Sequence, residues 1–69
     1  MERYYVNDNA QEGSGDHEVH DDDCDFCPDP ENRTYLGRFS NCEPAVEEAK
    51  NHYSDVNGCF YCSSDCHTT

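Results

Sequence analysis

Apolar bulk is scarce in this 69-residue chain: Leu36 is its single leucine, and it has neither isoleucine nor tryptophan. So short a chain cannot offset its ordering entropy by hydrophobic collapse alone, which excludes an unaided core and a large enzyme cleft. Positive charge is equally scarce. Arg3, Arg33, Arg38 and Lys50 stand against sixteen Asp and Glu, for a formal charge of -12. Binding to a phosphate backbone relies on neutralising it, so direct nucleic-acid binding is not expected. No run approaches the ~20 apolar residues of a membrane span, and no membrane contact is expected. The residues after Met1 lack the apolar stretch of a secretory leader, which points to a reducing cytoplasm.

What the chain has instead is cysteine, at positions 24, 27, 42, 59, 62 and 66, with His17, His20, His52 and His67 beside it. In a reducing compartment such a set reads as metal ligands before disulfides. The pair Cys59 and Cys62, two residues apart, lets two sulfurs approach one ion, and a tetrahedral Zn²⁺ site needs two further ligands. Cys24 with Cys27 would complete a four-cysteine site. His20 with Cys24 would complete a His/Cys₃ site. Spacing alone favours the paired C-x-x-C pattern.

The rest of the chain divides readily. Arg3–Val6 is aromatic and β-branched and reads as a strand, and His17–His20 reads as a second extended piece. Residues 7–18 form a polar loop, Asp21–Asp23 an acidic turn, and Cys24–Asn32 a loop holding Pro28 and Pro30. Thr34–Phe39 has β character interrupted by Gly37, the mark of a bulge or a close approach. The segment Asn41–Tyr53 reads as the one helix, with Cys42, Ala45, Val46, Ala49 and Tyr53 on a single face. Asn41 is the favoured N-cap, because Pro44 then falls in the first turn, although Ser40 and Glu43 also spell a capping box. Asn57-Gly58 reads as a sharp turn, and residues 63–69 as a flexible tail. The expected fold is a single α+β domain, a short antiparallel sheet and one helix stapled by zinc.

His20-x3-Cys24, Phe39-Ser40, Glu48-Ala49 and Cys59-x2-Cys62 together resemble the small Ada-type metal-binding module of alkyl-phosphotriester repair proteins. The resemblance spans residues 20–62. It implies that His20, Cys24, Cys59 and Cys62 are the zinc ligands and that Cys27, the competing fourth ligand, is spare. In the repair proteins a cysteine at the first ligand position accepts a methyl group; His20 stands there and cannot. The family's basic segment around the closing C-x-x-C is replaced by Phe60, Tyr61, Ser63, Ser64 and Asp65, which removes the implied DNA contact. The resemblance therefore implies the fold and the ligand set, not the activity.

Four protein ligands leave no open position on the ion, so a structural site and no enzymatic activity are expected. Cys42 reads as a small buried hydrophobe, with a Cys42–Cys66 disulfide the alternative in an oxidising setting. Cys66 and His67 could also join Cys42 or His17 in a second site. His52 is expected in solvent.

The leading functional reading is a stand-alone zinc module presenting a surface to a protein partner, with Tyr4, Tyr5, Tyr35, Phe60 and Tyr61 as candidate contacts. A second is an acidic mimic of nucleic acid that inhibits a nucleic-acid-binding enzyme. A third is a reactive thiol at Cys59 or Cys62 that accepts an alkyl group or electrons. The acidity also fits solubility or adaptation to high salt, since one Lys and nine Asp make the chain look like proteins of halophiles.

Overall fold

In the run Arg3–Val6 the side chains alternate, and Tyr4 and Val6 turn inward while Arg3 stays in solvent and Tyr5 is half-buried. This alternation builds the central strand of a four-stranded sheet. In the computed structural model, which describes residues 1–67, the elements are β1 (Glu2–Asn7), β2 (His17–Asp21), β3 (Arg33–Phe39), α1 (Cys42–Ala49) and β4 (Val56–Gly58). Short 3-10 turns at Pro30–Asn32 and Ser64–Cys66 complete them. The strand order is β3-β1-β2-β4. The architecture is α+β, as expected, but the sheet is mixed: β1 is antiparallel to both neighbours, whereas β4 joins β2 in parallel.

Val6 lies opposite Val19 across the β1–β2 pair. With Tyr4 and Leu36 they form one sheet face, which α1 covers with Cys42, Ala45 and Ala49. The small side chains of Ala45 and Ala49, both fully buried, let the helix sit close to the sheet. Asn41 caps it, its Oδ1 accepting the Glu43 N–H at 2.9 Å, and Pro44 falls in the first turn, where a missing N–H is harmless.

Gly37 sits at the expected irregularity. Tyr4 pairs with Gly37 and Tyr5 with Tyr35, so Leu36 is the extra residue of a β-bulge. Gly37 has φ +132°, and a Cβ there would lie 3.0 Å from the Phe39 ring.

Four expectations need correction. The helix ends at Ala49, not Tyr53, and its last turn tightens through bonds from Asn51 N–H to the Glu48 carbonyl and from His52 N–H to the Ala49 carbonyl. Tyr53 reaches the core from beyond the helix, stacked on His17 at 3.7 Å and donating to Asp8 Oδ1 at 2.8 Å. The polar loop is shorter than 7–18, because Asn7 ends β1 and His17 and Glu18 belong to β2. Asn57 and Gly58 are strand residues, not a turn; Gly58 serves close approach, since a Cβ there would fall 2.6 Å from the Cys66 Cβ and 2.7 Å from the Ser63 carbonyl oxygen.

The segment expected to be a tail is the fourth. Residues 63–67 fold back over Gly58, with Ser63 buried and His67 Nδ1 3.0 Å from the Gly58 carbonyl oxygen; Thr68 and Thr69 lie outside the described residues. The anchor is a Cys42–Cys66 disulfide, so Cys42 is buried but not a free hydrophobe. It closes a loop over a sequence separation of 24 residues. On the loop-entropy relation, replacing both cysteines by alanine is expected to lower stability by about 3 kcal/mol. Denaturant unfolding of the protein with and without the bridge measures that loss.

Candidate metal centre

His20 follows Val19 in β2, and alternation turns it to the sheet face away from α1. The parallel register pairs Glu18 with Asn57 and Val19 with Gly58. One step further, Cys59 donates its N–H to the Val19 carbonyl at 3.0 Å and comes level with His20. Both residues are 1% exposed. The acidic run then reverses the chain: Asp21 Oδ1 accepts the Asp23 N–H at 3.1 Å, and the Asp21 carbonyl accepts from Cys24 N–H at 3.3 Å. This turn returns Cys24 to His20. At the other end, Ser63 N–H donates to the Cys59 carbonyl at 2.9 Å, closing the turn that brings Cys62 back to Cys59.

One ligand atom from each of His20, Cys24, Cys59 and Cys62 lies within 4.8 Å of all the others. The distances from Cys24 Sγ to His20 Nδ1, from Cys24 Sγ to Cys59 Sγ and from Cys62 Sγ to His20 Nδ1 are 3.6, 3.9 and 3.9 Å. A tetrahedral ion with bonds of about 2.3 Å to sulfur and about 2.1 Å to nitrogen requires edges of about 3.8 Å between sulfurs and about 3.6 Å from sulfur to nitrogen. These three edges match those of a metal-filled tetrahedron, and the donor set could hold a metal ion.

The surroundings fit an ion as well. Burial holds the His20 imidazole below its usual range and so neutral, the form that ligates. Its Nε2 is buried without a hydrogen-bond partner, and the Glu18 Oε1 stands 3.6 Å away. Ligation through Nδ1 fixes the proton on Nε2, facing that carboxylate, which is the outer-shell arrangement usual for metal-bound histidine. Burial likewise pushes the Cys24 and Cys62 thiols up. A nucleophilic thiol needs the opposite shift; a cation supplies the charge that lets buried thiolates form.

Cys27 lies outside the cluster. Its Sγ accepts from Arg33 Nη1 at 3.5 Å, and the same guanidinium group donates to the Pro28 carbonyl at 3.2 Å. The second-site candidates are engaged elsewhere: Cys66 in the disulfide, His67 on Gly58, and His17 on Tyr53, with its Nδ1 2.9 Å from the Asn7 carbonyl oxygen. His52 is exposed beside Glu48. Of the candidate aromatic contacts, Tyr4 is buried in the core and Tyr5 is half-buried against Tyr35, whereas Phe60 and Tyr61 are exposed. Phe26, which sequence reasoning passed over, joins them in solvent. Its signal was the same one that marked Phe60, an aromatic between two closely spaced cysteines.

Among the described residues no helix is long and apolar enough to cross a membrane. Comparison with protein-family models, with curated proteins and with solved structures finds no match.

Two outcomes follow for the site. Ligation must displace protons from thiols whose affinity for them is raised, so metal affinity falls on acidification. Cys24 and Cys62 alone are expected to give about two decades per pH unit between pH 6 and 7.5, read by competition with a chelator of known affinity. Glu18→Gln, which removes the carboxylate facing Nε2, is expected to weaken metal binding by about 10–100-fold in the same titration at fixed pH.

Proposed function

We propose that this protein is a small zinc-folded module, with a structural metal site, whose exposed surface engages another protein. The observation that carries the reading is the convergence of four donor atoms from two segments far apart in sequence, residues 20–24 and 59–62. A His/Cys₃ set of tetrahedral size suits Zn²⁺, which has no geometric preference of its own and accepts both imidazole and thiolate. All four positions are taken by protein, which leaves no room for a metal-bound water and argues against catalysis at the ion.

The same ligand spacing supports kinship with the Ada-type module at the level of the fold, without methyl transfer or DNA contact. Thiolate ligation also favours a reducing cytoplasm, against which the Cys42–Cys66 bridge stands as the opposing feature. Thiol counting decides between them.

Native mass spectrometry of the protein made in a reducing cytoplasm is the test. One bound zinc, loss of secondary structure on chelation, and release of the metal by His20→Ala but not by Cys27→Ser are the expected results. Removing a ligand should exceed the about 10–100-fold cost of an outer-shell change. Absence of bound metal, or release by Cys27→Ser while His20→Ala retains it, overturns the reading.

A further inference from the structure

Phe26, Phe60 and Tyr61 are 58%, 59% and 69% exposed, yet they are not scattered. The Phe26 ring stacks on Tyr61 with centroids 4.4 Å apart, and Phe60 meets Tyr61 and His67 edge-on at 5.3 and 5.4 Å. Together they form one aromatic shelf. Phe60 and Tyr61 lie between Cys59 and Cys62, two of the four converging residues, and Phe26, two residues past Cys24, stacks on Tyr61 from the other segment. Three large rings are thus held together in solvent, the kind of exposed apolar patch that marks an interaction site.

We infer that this shelf is the docking surface for an arginine-bearing segment of a partner protein. The inference rests on the interaction-module reading and names the partner's chemistry. Two observations select it. The rings belong to a chain of net charge -12, in which Asp25 precedes Phe26 and Asp65 lies two residues before His67 in sequence. A guanidinium group laid on an aromatic face beside carboxylates gains from both the ring quadrupole and the opposite charge. The protein already makes such a contact within itself, where the Arg33 guanidinium lies 4.0 Å from the Tyr5 ring centroid. Competing occupants are disfavoured by net charge: a nucleic acid would bring phosphates to a chain of charge -12, and a second copy would set -12 against -12.

The test uses the full-length, metal-loaded protein and a short peptide of alternating arginine and glycine, with a glutamine-for-arginine peptide as control. Ring resonances of Phe26, Phe60 and Tyr61 are followed by NMR as each peptide is added. The arginine peptide is expected to shift these resonances selectively and to lose about tenfold in affinity in the double variant Phe60→Ser/Tyr61→Ser. Tyr35→Ser, which removes an exposed ring on the sheet, is expected to leave affinity unchanged. Metal stoichiometry and circular dichroism of each variant establish that the fold is retained.

Equal binding of the arginine peptide to parent and double variant means attraction by net charge alone and overturns the inference. Preference for the glutamine peptide, or concentration-dependent self-association abolished by the double variant, also overturns it. In those two cases the shelf still binds protein, and the interaction-module reading survives. Binding of neither peptide, with zinc and fold intact, removes the basic partner and leaves the metal-folded module standing.

Discussion

The parallel pairing of β2 with the three-residue β4 determines where the disulfide and the candidate metal centre fall. It sets Cys59 level with His20 on one side of the sheet. It also sets Gly58 where Ser63 and Cys66 can close over the backbone, which brings Cys66 to Cys42 on the side covered by α1. A slip of one residue would turn the side chains of β4 to the opposite faces and carry Cys59 away from His20, and the donor cluster and the disulfide would be lost together. β4 is too short to hold this register by hydrogen bonds alone. The disulfide it positions holds it in return, so the pairing and the bridge form one cooperative unit.

That mutual dependence compensates for a thin core. Tyr4, Val6, Val19, Leu36, Ala45 and Ala49 supply most of the buried apolar surface on the helix side, too little for a chain of this size to rely on. The opposite side holds polar groups that are unfavourable when buried without partners: thiols pushed up by burial and an imidazole nitrogen lacking a hydrogen bond. An ion held by the cysteine Sγ atoms and His20 Nδ1 would offset the cost of burying the thiols and would fix the Nε2 proton toward Glu18. The face that buries these groups is therefore the face with most to gain from a metal.

Much of this was legible in the residues. Alternation marked β1, the Asn41 and Pro44 pair placed the helix start, and Gly37 marked the bulge. Spacing alone favoured Cys27 beside Cys24; the resemblance to the Ada-type module implied His20, Cys24, Cys59 and Cys62, the four residues that converge. What escaped has physical causes. Asn57-Gly58 is a strong local turn signal, but here glycine answers a steric demand from Cys66, a residue eight positions away that local propensity does not see. The Cys42–Cys66 bridge was named only as the alternative for an oxidising setting, because it depends on the parallel crossover, which no periodicity records. Tyr53 matched the helical face by spacing, but it comes to the core by stacking on His17 from across the molecule. Phe26 was read as part of a loop because its neighbours, Asp25 and Pro28, are loop residues; only the fold sets it against Tyr61.

The strand order leaves β3 on an open border of the sheet, with backbone donors and acceptors turned to solvent. Such a border ordinarily invites another chain to extend the sheet. Here Arg33 and Arg38 stand near its two ends, in a protein with only four cationic residues. Laying two such borders side by side in antiparallel fashion would bring Arg33 of each copy toward Arg38 of the other, opposing like charges at both ends. The bulge at Leu36 breaks the ladder between them. Half of the chain's positive charge is thus placed where it guards against sheet-to-sheet aggregation.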